Sequence, residues 1–257
     1  MIPSLLAIIF GVISNQIALR SPQFAEQLPN LAESFAAVYG AWYWVFFISL
    51  LVGAAVISAD NRANALQVYL SKPITKWDYL IGKWMTVFIM VYLVGLAPLM
   101  LSLLYGAFNE GLSTFFSQHL LLIPKVILLP AIPAIVHASL LCGISAWNKT
   151  PWAAGLIYAG IFTFWNSAMF IVMQAMGGGG RGRQTEQAIE TIRSLSPQGS
   201  ISGLGFNLMG SMPREFIRTG ERLFPSWQPM LLLLLILCAI GIWMAYSRIR
   251  AVEVVQG

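Results

Sequence analysis

Six stretches of this chain run for eighteen residues or more with scarcely a charge: residues 2–19, 41–58, 80–105, 119–147, 152–176 and 225–246. A helix rises about 1.5 Å per residue and a hydrocarbon core is about 30 Å thick, so each stretch is long enough to cross or nearly cross a bilayer. Lipid offers no partner for a backbone N–H or C=O, which leaves helices and closed barrels as the spanning structures. Barrel strands alternate apolar and polar residues, and these runs do not. The expected fold is an all-α integral membrane protein with six transmembrane helices, forming a single membrane domain over residues 1–257. The composition, 58% hydrophobic and 10% charged, agrees, because a soluble domain carries about a quarter of its residues as charges.

The first run begins at Ile2 with no basic residue ahead of it. That pattern reads as a membrane helix rather than a cleavable signal peptide, and its abrupt start predicts a longer amino terminus. Pro98, Pro124, Pro130 and Pro133 are expected at kinks or helix starts in the two longest runs. Cys142 and Cys238 lie within apolar runs and read as small buried hydrophobes.

Six spans place both termini on one side. Counted over the short loops alone, seven Lys and Arg residues fall on the side of the termini and one, Arg20, on the other. Short loops carry the orientation signal, so both termini are expected in the cytoplasm, with the chain in the cell's inner membrane. The loop 177–224 is then external, and its own arginines oppose that assignment. It holds two amphipathic patterns, QTEQAIETIRSL and PREFIRTGERLF, expected as short helices at the membrane surface. A Gly- and Ser-rich stretch separates them.

Catalytic signatures are missing from the sequence. There is no G-x-x-x-x-G-K-[ST] phosphate loop, no H-E-x-x-H, no G-x-S-x-G and no carboxylate inside a span. His119 and His137, eighteen residues apart, do not have metal-ligand spacing. The chain is therefore expected to be neither an enzyme nor a metalloprotein, with no cofactor of its own. Its modest basic excess suits loop topology and anionic headgroups, and nucleic acid is not an expected partner. Two polar side chains sit deep in the spans, His137 and Asn166. Each reads either as an interhelical hydrogen bond or as part of a polar substrate path.

The most informative segment lies between the second and third runs, DNRANALQVYLSKPITKWDYLIGK, residues 60–83. Ala63, Leu66, Tyr69 and Leu70 share one helical face. Asp60 or Asn61 can cap the start, Lys72 suits the carboxyl end, and Pro73 stops the helix. Thr75 or Asp78 can cap the helix that follows. A short, stiff amphipathic helix over residues 61–72 is the expectation. This segment resembles the signature of the ATP-binding-cassette type-2 exporter permeases: Asp60 and Arg62, then Ala65, Leu66 and Leu70, Ser71-Lys72-Pro73, Lys76, Tyr79-Leu80 and Gly82-Lys83.

The resemblance implies a membrane-spanning permease subunit of an ATP-driven exporter that pairs with a second permease. A cognate ATPase subunit would bind ATP and Mg on its own chain and grip the 61–72 segment as a coupling helix. Asp60, Arg62, Leu66, Tyr69, Leu70, Lys72 and Pro73 would make that contact, with Leu66, Tyr69 and Leu70 as the apolar anchor. The family's amphipathic helix ahead of the first span has no counterpart before Ile2. Two other readings of the residues stand beside this one. One is a non-transporting anchor that recruits a soluble partner through the same helix, and the other is an ATP-independent carrier.

Overall fold

The computed structural model describes residues 43–65, 75–177, 183–210 and 226–249. Among these residues the regular structure is entirely helical. The elements are α1 (Tyr43–Gly53), α2 (Ser58–Arg62), α3 (Lys76–Glu110), α4 (Leu112–His119), α5 (Leu122–Leu128), α6 (Ala131–Trp147), α7 (Pro151–Gly177), α8 (Arg183–Ser194), α9 (Pro197–Met209) and α10 (Trp227–Arg248). Five helical stretches are long and apolar enough to cross a membrane: Trp44–Arg62, Lys76–Phe108, Leu122–Trp147, Pro151–Ala175 and Trp227–Arg248. They coincide with the second to sixth runs of the sequence. The first run, residues 2–19, lies outside the described residues.

Helix α6 is the hub, packed against α10, α3, α1 and α7. Its composition explains the position. Ala134, Ala138, Cys142, Gly143, Ser145 and Ala146 are buried on it, and small side chains let neighbouring backbones come close where no hydrophobic effect drives helices together. The closest approach is to α10. A Cβ added at Gly143 would meet the Gly241 carbonyl oxygen at 2.6 Å, and one added at Gly241 would meet the Ser139 carbonyl oxygen at 2.3 Å. Around this contact lie Val87, Val91 and Leu80 of α3 and Ala245 of α10. The Trp84 indole donates to the Ser139 hydroxyl at 3.0 Å, adding a polar tie between α3 and α6.

Helix α3 has 35 residues, about 52 Å, well beyond a bilayer core. Its start is a capping box. Thr75 Oγ1 accepts from the Asp78 N–H at 3.2 Å, and Asp78 Oδ2 accepts from the Thr75 N–H at 2.9 Å. Pro98 sits inside the helix without ending it. The fourth run behaves differently. Three prolines, Pro124, Pro130 and Pro133, accompany its division into α5 and α6, with Pro130 at the α6 N-cap position.

The Gly- and Ser-rich stretch of the long loop is itself a helix, α9. Ser196 caps it by accepting from the Gly199 N–H at 2.9 Å, and Gly210, at φ 67°, ends it in the left-handed conformation. Ile201 of α9 is buried with Val136 of α6 and with Leu234 and Leu237 of α10. Those two leucines lie about two and three turns into α10, so α9 dips into the bundle instead of resting on its surface. Glycine and serine serve here as helix-packing residues. Helix α8 is the amphipathic one, as its pattern implies, whereas PREFIRTGERLF lies outside the described residues.

The α6–α10 approach leaves no room for a side chain. Gly241→Ala is expected to lower the stability of the purified chain by about 1–3 kcal/mol in detergent unfolding, the cost of overpacking. Gly82→Ala, whose Cβ would meet nothing within 4 Å, is expected to be neutral or mildly stabilising in the same assay.

Candidate coupling site

Four chain segments meet at one end of the bundle: α2, the start of α3, the end of α6 and the end of α10. The site begins with a defect. Between α1 and α2 the helical ladder breaks over residues 54–57. The Val56 N–H takes the Gly53 carbonyl, a tight three-residue turn, and the N–H groups of Ile57 and Ser58 lose their usual acceptors. Ser145 of α6 fills the gap. Its oxygen accepts from Ile57 N–H at 3.1 Å and Ser58 N–H at 2.9 Å, and its hydroxyl donates to the Ala54 carbonyl at 2.9 Å. All three groups are buried, so the break is fully satisfied without water. A side chain inserted into a helical ladder is a recognised cause of a kink.

Beyond the break, α2 is fastened on two sides. The Asp60 carboxylate accepts from the Tyr79 hydroxyl at 2.7 Å and pairs with the Lys83 ammonium at 2.6 Å. Tyr79 and Lys83 are four residues apart on α3, so they present one face, and the ammonium also lies 5.6 Å from the Tyr79 ring centre. On the other side, the Asn61 amide donates to the carbonyls of Ala146 at 2.9 Å and Asn148 at 3.2 Å, at the carboxyl end of α6. The end of α10 joins through the Trp147 indole, which donates to the Met244 carbonyl at 3.1 Å, and through the stacked rings of Trp77 and Tyr246. Arg248 covers the Trp147 ring.

The structure reassigns the cap expected at Asp60 or Asn61. The residue at the N-cap of α2 is Ile57, without a side-chain cap. Asp60 and Asn61 lie inside the helix, where their side chains reach α3 and α6. Nor does one helix run unbroken from 61. Helix α2 stops at Arg62, and Asn64 takes the left-handed conformation, φ 52°, which asparagine tolerates better than most residues. Arg62 is exposed at this corner. Leu66, Tyr69, Leu70, Lys72 and Pro73 lie outside the described residues.

The two deep polar residues stand elsewhere. His137 is buried, with Nδ1 against the Tyr158 hydroxyl and its ring among Phe46, Tyr158 and Phe162. The Asn166 amide donates to the Phe162 carbonyl at 2.7 Å, and its oxygen accepts from the Gln198 N–H at 3.0 Å, tying α7 to the start of α9. Neither belongs to the cluster around Asp60. Ser145, which the cluster depends on, went unnoticed in the sequence. A serine in an apolar helix is a weak signal, and its partners lie 87 and 88 residues away.

A comparison with known families accounts for this architecture. The sequence matches the family described as ABC-2 family transporter protein over residues 7–253. The chain belongs to that family. No curated protein matches it. Membership makes this ABC-2 chain a membrane transport component, a multi-pass permease that is not itself catalytic. The residues quoted for the resemblance that fall among the described ones are Asp60, Arg62, Ala65, Lys76, Tyr79, Leu80, Gly82 and Lys83, and three of them form the α2–α3 lock.

Two substitutions test the lock. Ser145→Ala strands two buried N–H groups and is expected to cost about 2–6 kcal/mol in the folded permease, at about 1–3 kcal/mol for each stranded group, whereas Ser145→Thr keeps the hydroxyl and most of the stability. A double-mutant cycle of Asp60→Asn and Lys83→Met in detergent unfolding is expected to return a coupling energy of about 1–3 kcal/mol. Strict additivity would show that the pair contributes nothing.

Proposed function

We propose that this ABC-2 permease works in an ATP-driven exporter, as one of two paired membrane subunits, with ATP and Mg bound on separate ATPase chains that dock at the Asp60 end of the bundle. The observation that carries the proposal is the double fastening of α2. Asp60 ties it to α3 through Tyr79 and Lys83, and Asn61 ties it to the end of α6. A push on the segment that follows Arg62 therefore reaches two spans through short, directional bonds instead of being lost in a slack loop. The break held by Ser145 gives α2 an orientation separate from α1, which suits a lever attached to a membrane rod.

The charge distribution supports a cytoplasmic location for this end. Among the described residues, Arg62, Lys76, Lys83, Lys149 and Arg248 gather here, while Lys125, Arg183 and Arg193 lie toward the opposite end. Both termini would then be cytoplasmic, with the inner membrane as the location. On this reading Leu66, Tyr69 and Leu70 form the apolar anchor in the ATPase groove, and Arg62 and Lys72 form its polar rim. Cargo passing His137 and Asn166 would have to open their bonds to Tyr158 and Gln198, so Tyr158→Phe is expected to alter transport without altering ATPase docking.

The decisive experiment reconstitutes the permease with its ATPase. Leu66→Asp and Leu70→Asp are each expected to weaken docking by about 2 kcal/mol, roughly thirty-fold, and to abolish permease-stimulated ATP hydrolysis while the membrane subunit stays folded. Unchanged stimulation would overturn the coupling assignment. Cargo flux through the purified permease alone would replace the ATP-driven reading with a carrier, and docking without cargo-stimulated turnover would replace it with an anchor.

A further inference from the structure

At the end of the bundle away from Asp60, the elbow between α4 and α5 encloses an open cleft of about 280 Å³, lined by residues 117–122 and Lys125. At roughly 30 Å³ per molecule it has room for about nine waters. Lys125 is half-buried and lines this cleft. A half-buried ammonium lining an open cleft favours an anionic group there, through charge-assisted hydrogen bonds. The Ser117 hydroxyl donates to the Thr114 carbonyl at 2.8 Å, so among the lining residues the Lys125 ammonium supplies the charge, with the exposed Gln118 and the half-buried His119 beside it.

The depth and the rim narrow the identity of that guest. Val126, the residue after Lys125, is buried with Leu99 and Leu103 of α3. Leu99 lies sixteen residues beyond Lys83, about 24 Å along the helix. The cleft therefore stands about one hydrocarbon thickness from the Asp60–Lys83 pair, at the level of the far headgroup layer. Its rim is apolar and open, with Leu120 62% exposed and Leu121 77% exposed. A soluble anion has no use for such a rim. A phospholipid has use for both halves, since its phosphate meets the ammonium and its acyl chains cover the leucines.

We propose that the α4–α5 elbow is a phosphate-recognition site that holds one phospholipid of the leaflet opposite the Asp60 end, with Lys125 and Gln118 on the phosphate and Leu120 and Leu121 on the acyl chains. The proposal does not depend on how the other end is driven.

Native mass spectrometry of the purified chain in neutral detergent tests it, with three probes: phosphatidylglycerol, diacylglycerol with the same acyl chains, and inorganic phosphate. One phosphatidylglycerol is expected to remain bound where diacylglycerol does not. Lys125→Met is expected to lower its occupancy constant by about ten-fold, Lys125→Arg to preserve it, and Lys149→Met, at the opposite end, to leave it unchanged. Leu121→Ser changes a side chain that is already exposed, so folding is not at stake, and it is expected to weaken the lipid several-fold. Equal retention by wild type and Lys125→Met, or diacylglycerol held as well as phosphatidylglycerol, would overturn the site. Displacement of the lipid by millimolar inorganic phosphate would reassign the ligand to a free anion and overturn the lipid assignment.

Discussion

A polypeptide in hydrocarbon has only itself to hydrogen-bond to, and one serine hydroxyl makes this bundle's internal break possible. Where α1 gives way to α2, two N–H groups would face apolar neighbours, and the Ala54 carbonyl would be left to the Ser58 hydroxyl alone. Ser145 takes both donors and supplies the acceptor with a proton. Without that group the break would cost several kcal/mol, and a straight helix through residues 43–62 would be the better solution. The position of Asp60 and Asn61, and hence of the corner at Arg62, follows from it.

The bond to Ser145 requires α6 to lie close to the break, and the small residues of α6 allow that. Gly143 and Gly241 bring α6 and α10 into backbone contact, while Gly53 of α1 faces Leu141 so tightly that its Cβ would come within 2.6 Å of the leucine. Close packing converts weak dispersion contacts into a rigid core. That core in turn holds the ends of α6 and α10 where Asn61, Trp77 and Trp147 can bridge between helices. Stiffness at the Asp60 end is therefore a property of the bundle's middle as much as of the ion pair at its rim.

The opposite end is organised differently. Helix α3 outruns the membrane, α4 and α5 fold back beside it, and α9 inserts a Gly- and Ser-rich helix between α6, α7 and α10. Asn166 binds within the chain there, accepting from the Gln198 N–H, while the buried Gln198 Oε1 has no hydrogen-bond partner among the described residues. Lys125 lines an open cleft there, which gives that end a distinct chemistry.

Span length and hydropathy are local properties, so residues 41–58, 80–105, 152–176 and 225–246 were legible within a few residues of their observed ends. The Thr75–Asp78 capping box was legible too, because its partners are three residues apart. The motif around Asp60 pointed to the family. It could not say what Asp60 does, because a carboxylate at a span end can equally cap a helix or pair with a distant lysine. The tertiary structure alone decided that Asp60 meets Tyr79 and Lys83, that Asn61 closes the end of α6, and that the Gly- and Ser-rich stretch is a buried helix. These outcomes depend on which helices become neighbours. Neighbour choice is set by small residues scattered over 200 positions, and no short window of sequence contains them together.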